Sequence, residues 1–229
     1  MPRQKKSAQG TNTENLLTHA MARLDEKAVL NLVRQGLEQG VDSFTLIAEA
    51  TAGMAKVGEL YKSGRYFLAD LIVAGEIFKE MLNLVFKVRE VAAPKTNLPP
   101  IIFGTVEEDI HDIGKNITIG VLKGKGLQVF DLGVDVPATA FVEAAKKTGA
   151  RIVCLSGLIT SAYDSMRKTV NLLEKEGLRP GVFVLIGGLV NEAVRKYTGA
   201  DYWVTDCAAG GELCESILLG KRKKNAMNI

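Results

Sequence analysis

Cysteine is scarce in this chain of 229 residues. Cys154, Cys207 and Cys214 are an odd number with no Cys-x-x-Cys spacing. That excludes a disulfide framework and a cysteine-rich zinc site, and points to reduced thiols in a cytoplasmic protein. Cys154 sits in an apolar run and reads as a small core residue. Histidine is scarcer still: His19 and His111 are the only two, too few for a classical zinc centre. No window reaches the ~18–20 apolar residues of a membrane span. The polar, basic opening from Met1 to Gly10 has no apolar stretch behind it and is not a secretory signal. Excess charge of one sign is also missing, since 29 Lys and Arg face 26 Asp and Glu for a net +3. The positive surplus gathers at the ends, Arg3, Lys5 and Lys6 and then Lys221 to Lys224, without interleaved aromatics. Such tails read as solvated, not as a nucleic-acid arm. Neither Gly-x-x-x-x-Gly-Lys-Ser/Thr nor Gly-x-Ser-x-Gly occurs, which argues against a phosphate-cradling loop and a self-contained hydrolase.

What is present suits two small globular domains: 47% hydrophobic residues against 24% charged. From Thr13 to Val91 the pattern is helical. Leu16, Leu17, Ala20, Met21 and Leu24 form one stripe. Asp25 is a candidate N-cap for a second helix, which Gly40 ends. Asp42 or Ser43 caps a third, running to about Lys62 and stopped by Ser63-Gly64. A fourth spans about Tyr66 to Glu90. Short turns between them predict an antiparallel four-helix bundle. Residues 92–100 carry three of the six prolines and form a linker. Beyond it, apolar runs at 101–105, 128–132, 151–156, 182–186 and 202–205 alternate with helical segments at about 115–123, 137–148, 161–176, 191–197 and 208–219. Five strands alternating with five helices predict an open parallel sheet, doubly wound and covered on both faces.

In such a sheet ligands bind beyond the carboxyl ends of the strands, where strand order reverses. The first strand exits into Asp109-Ile110-His111-Asp112-Ile113-Gly114. A histidine two residues after an aspartate can ligate a metal through one ring nitrogen while the other donates to the carboxylate. Gly114 permits a close backbone approach. The third strand exits into Ser156-Gly157-Leu158-Ile159-Thr160 and the fourth into Gly187-Gly188, offering short hydroxyls and empty space. Each loop taken singly is also ordinary turn chemistry. A phosphoacceptor receiver shares the strand count and an acidic cluster after the first strand. It needs an aspartate ending strand three and a lysine after strand five, where this chain has Ser156 and Thr205-Asp206.

Together the three loops resemble the cobalamin-binding signature Asp-x-His-x-x-Gly, Ser-x-Leu, Gly-Gly, matched by Asp109 to Gly114, by Ser156 to Leu158 and by Gly187-Gly188. Residues 115–155 and 159–186 separate the three elements, spacings that also resemble the family's. The helical part, with Gly53 to Gly58 and Tyr66-Phe67-Leu68, is similar to the cap of methyltransferase corrinoid proteins. The resemblance implies a helical cap (residues 13–91), the linker (92–100) and a five-stranded, flavodoxin-like cobalamin-binding domain (101–220). It implies that His111 replaces the lower base on cobalt, with Asp109 as its partner and Ile110, Asp112, Ile113 and Gly114 around it. The nucleotide tail of the corrinoid would run past Ser156, Leu158, Thr160, Gly187 and Gly188, flanked by Trp203, Asp206 and Cys207. The cap would cover the methyl-bearing face. Departures from the family pattern are Glu108 where glycine is usual, Ala69 for a proline, Trp203 for a tyrosine, and Leu189-Val190-Asn191 after the glycines.

The function so implied is a methyl carrier in one-carbon metabolism, not a self-contained enzyme. A substrate-specific methyltransferase would load the cobalt, an acceptor methyltransferase would unload it, and a reductive activator would rescue oxidised cobalt. A cobalamin-dependent sensor would need a DNA-binding module, for which residues 1–12 are too few. A mutase subunit would ordinarily lack the cap.

Overall fold

A computed structural model describes residues 14–87 and 97–221. The chain divides into two compact units, Met1–Arg89 and Glu90–Ile229. Of the expected linker, residues 92–96 lie outside the described residues, and 97–100 form no regular element.

The first unit holds α1 (Glu14–Ala22), α2 (Glu26–Glu38), α3 (Ser43–Lys62) and α4 (Leu68–Lys87). The predicted caps form. The Asp25 carboxylate accepts from the Ala28 amide, and Asp42 accepts from Phe44 and Thr45, satisfying amides that have no partner within the helix. α4 starts two residues later than its apolar pattern predicts. Tyr66 is held in the preceding turn, where its hydroxyl donates to the Ala22 carbonyl at 2.9 Å. Asp70 turns back to accept the Phe67 amide at 2.7 Å. α1 packs on α2 and α3, and α4 on the same pair. α2 and α3, though consecutive, touch little. Gly53 lets α1 and α3 close, because a Cβ there would stand 2.5 Å from Met21 Cβ and 2.9 Å from the Thr18 carbonyl oxygen.

The second unit runs β1 (Ile101–Thr105), α5 (Ile113–Gly124), β2 (Val129–Asp131), α6 (Ala138–Thr148), β3 (Ile152–Gly157), α7 (Ala162–Lys175), β4 (Phe183–Gly188), α8 (Glu192–Thr198), β5 (Tyr202–Val204) and α9 (Cys207–Leu218). All strands are parallel, in the order β2-β1-β3-β4-β5. This is the flavodoxin-like, doubly wound sheet. The order reverses between β1 and β3, so their carboxyl ends frame the crevice where a ligand belongs. Side chains alternate across the sheet. Ile102, Val153, Leu155 and Ile186 pack with Phe141 and Met166 on one face. Phe103, Cys154, Leu185 and Tyr202 pack with Leu122 and Ile217 on the other. Both faces are covered, as an all-parallel sheet requires.

Candidate functional site

Asp109 and His111 lie on the turn between β1 and α5. The Asp109 side chain is fully buried, while the His111 side chain is 51% exposed. His111 Nδ1 stands 2.6 Å from Asp109 Oδ1, and the same oxygen accepts the His111 amide at 2.9 Å. Oδ2 accepts the amides of Leu158 at 2.5 Å and Ile159 at 3.3 Å. One carboxylate thus ties the exits of β1 and β3, which pair in register with Thr105 opposite Ser156. Burial pushes the carboxyl up. The amides of His111 and Leu158, the His111 ring and the Ile159 amide outweigh it and hold the group below its ordinary value. An ionised Asp109 can only accept, so Nδ1 donates a ring proton to it and Nε2 is left as the ring nitrogen that could meet a metal. Thr105, buried, donates its hydroxyl to the His111 carbonyl at 2.9 Å, anchoring the residue a second time.

Beside this turn an open cavity runs between the sheet and the α5–α9 pair. Gly114, Ser156, Gly187, Gly188, Asp206 and Cys207 line it. α5 begins at Ile113, earlier than predicted, so Ile113 and Gly114 form its first turn and Asp112 its N-cap position. A Cβ on Gly114 would meet nothing within 4 Å, so its freedom serves whatever enters from outside. Asp206 also caps α9, accepting the Ala209 amide at 2.7 Å. Ser156 faces the cavity, and Asp109 Oδ2 takes the β3-exit amides instead of the Ser156 hydroxyl.

Three expected tail contacts lie elsewhere. Trp203 points to the opposite face of the sheet, because Tyr202 and Val204 on either side of it take the cavity face. Its indole N–H donates to Glu192 at 3.1 Å. Thr160 is exposed beyond the cavity, and Leu158 stands exposed on the rim with Ile110 and Leu189. Among the residues that sequence reasoning missed are Phe103, Cys154, Leu185, Val204 and Cys214 on the cavity wall. Strand alternation from Phe103 was the signal that could have found the first four, while Cys214 lies on α9. Lys115, also on the wall, is almost wholly buried and reaches Asp131 at 2.7 and 2.8 Å and Asn116 at 2.8 Å. The Cys154 and Cys214 sulfurs lie 4.0 Å apart. Their hydrogen bond, with burial, raises the Cys154 thiol well above its usual range, so that thiol stays protonated. An apolar cleft with a few placed polar groups is the usual form of a cofactor site.

The B12 binding domain family matches residues 99–210, and a second B12 binding domain family matches residues 13–85. Dimethylamine corrinoid protein 1 of Methanosarcina mazei is 32% identical over 216 residues, which cover 92% of this chain and 100% of that protein. The chain belongs to the methyltransferase corrinoid proteins. Its cofactor is cobalamin. The solved monomethylamine corrinoid protein of Methanosarcina barkeri has a TM-score of 0.80 to this corrinoid protein at 26% identity, covering 90% of this chain and 98% of that one. A cobalamin-binding protein from Desulfitobacterium hafniense is 40% identical, with a TM-score of 0.51, over 88% of this chain and 97% of its own. The residues present fit a corrinoid. A half-exposed imidazole stands on the turn that leads into Gly114 on the wall of an apolar cavity, and the Gly187-Gly188 pair on that wall carries no side chain to obstruct a tail.

Proposed function

We propose that this corrinoid protein carries a methyl group on cobalt from a substrate-specific methyltransferase to an acceptor methyltransferase, with His111 as the lower cobalt ligand. A reductive activator would return oxidised cobalt to service. Among the described residues no helix is long and apolar enough to cross a membrane. The reading places the protein in the cytoplasm, where its thiols remain reduced.

One observation carries the reading: His111 is held by a buried, ionised carboxylate whose remaining oxygen is saturated by two backbone amides. That arrangement fixes the ring and its tautomer, as partners of metal-bound histidines do. When bound, the corrinoid supplies the cobalt centre on which the methyl group rides. His111 Nε2 offers the ligand atom, and Asp109 holds the proton at Nδ1. Ile110, Leu158 and Leu189, exposed at the exits of β1, β3 and β4, give an apolar rim for a flat macrocycle. The cavity beneath receives the nucleotide tail. In this scheme the choice of methyl donor falls to the partner enzyme. The names of the relatives place methylamines with those proteins.

The test is the visible absorption spectrum and cobalt content of protein reconstituted with hydroxocobalamin, beside His111→Ala. Stoichiometric binding with an altered spectrum in the variant is expected. Wild-type protein that takes up no corrinoid, or two identical spectra, would overturn the assignment.

A further inference from the structure

Glu108 precedes the Asp109 that orients His111, and its backbone is left-handed, with φ 70°. Among the described residues only Leu24, Glu108 and Asp135 adopt positive φ without being glycine. Two of these three are hydrogen-bonded to each other. The Asp135 carboxylate accepts the Glu108 amide at 2.8 Å. The Asp135 amide, on a residue with φ 53°, donates to the Asp109 carbonyl at 2.9 Å. Paired positions outside the favoured backbone region persist only where the surroundings hold them.

These two bonds grip the Glu107–Glu108 and Asp109–Ile110 peptide units, one on each side of the Glu108–Asp109 link. The neighbouring chain strengthens the grip. Val106 and Val136 form an isolated parallel bridge, and the Val136 amide donates to the Thr105 carbonyl at 3.0 Å. The β2–α6 loop therefore runs along the back of the turn that carries His111. On the other side, Asp109 Oδ2 is held by the amides at the β3 exit. The carboxylate that sets the imidazole is fixed from the front by β3 and from behind by Asp135.

We propose that Asp135 is a positioning residue for His111, acting through the backbone of Glu108 and Asp109 and touching no cofactor atom. The inference rests on His111 being the cobalt ligand. Asp135 lets a glutamate occupy a left-handed position that would otherwise favour glycine. Its own left-handed backbone suits Asp or Asn, whose short polar side chains tolerate that region.

The test compares D135G and D135N with the wild type in the full chain. Glycine keeps the left-handed backbone without strain and removes the acceptor, with a looser backbone besides. Asparagine keeps an acceptor oxygen. Without corrinoid, amide hydrogen exchange across residues 106–111 is expected to rise about tenfold in D135G, the size set by one charge-assisted hydrogen bond, and to stay near wild type in D135N. With hydroxocobalamin, the D135G spectrum should move toward that of His111→Ala, and asparagine should restore it. The proposal is overturned if D135G matches wild type in both readouts. It is overturned equally if exchange rises while the spectrum stays put, or if asparagine is as harmful as glycine. A wild type that takes up no corrinoid would instead defeat the ligand reading, and the exchange experiment, run on the apoprotein, distinguishes the two failures.

Discussion

Replacing Gly188 with alanine should break the exit of β4, while the same change one residue earlier should leave the fold intact and obstruct the cofactor. Gly188 has φ 104°, and a Cβ there would stand 2.1 Å from the Gly157 carbonyl oxygen and 2.9 Å from its carbon. An ordinary carbon–oxygen contact is about 3.3 Å, so the β3 and β4 tips must part by about 1.2 Å. That movement breaks the bond from the Leu189 amide to the Gly157 carbonyl, now 2.9 Å, at a cost of about 1 kcal/mol. Holding alanine at this φ adds about 1–3 kcal/mol. The smaller entropy of the unfolded alanine chain returns about 0.4–1 kcal/mol. The net loss is about 1–4 kcal/mol. A Cβ on Gly187 meets only the Val204 carbonyl oxygen, at 3.6 Å, an ordinary contact, but it enters the cavity. Gly187→Ala should therefore melt like wild type and bind cobalamin more weakly. Urea unfolding of the apoprotein followed by Trp203 fluorescence reads the sheet unit directly, because Trp203 is the single tryptophan and lies in β5. The reasoning is refuted if Gly188→Ala stays within about 0.5 kcal/mol of wild type, or if Gly187→Ala loses stability and not affinity.

Asp131→Ala would leave the buried Lys115 ammonium with Asn116 as its remaining described partner. Removing one member of a buried pair costs about 3–5 kcal/mol. Asp131 is itself 40% exposed, so a loss of about 2 kcal/mol in urea unfolding is expected, and no loss would show that water already solvates Lys115. Asp109 titrates below its ordinary value in the folded chain, so its contribution is present above the unfolded pKa of about 3.9 and disappears as pH falls through the lower folded value. The stability gap between apoprotein and Asp109→Asn should be constant at neutral pH and close below about pH 4. Acid unfolding curves that stay parallel would contradict this.

Most of the architecture was legible in the sequence because it rests on local patterns. The capping residues Asp25 and Asp42, the apolar stripes of the helices and the alternation of short apolar runs with helical segments each act over a few residues. The Asp109-x-His111 pair was legible for the same reason, since two residues on one turn can meet without help from the rest of the chain. Boundaries were less so. α4 starts at Leu68 because Tyr66 bonds to α1, a partner 44 residues away that no window of sequence reveals.

The sequence by itself determined which residues could ligate a metal, where empty space was needed and that a parallel sheet would carry them. Only the tertiary structure decided that the second oxygen of Asp109 meets the amides of Leu158 and Ile159, that Trp203 turns away from the cavity, and that Asp135 grips the turn from behind. The physical reason is register. Parallel strands joined by helices bring together groups far apart in the chain, and a one-residue change in alignment sends each side chain to the opposite face.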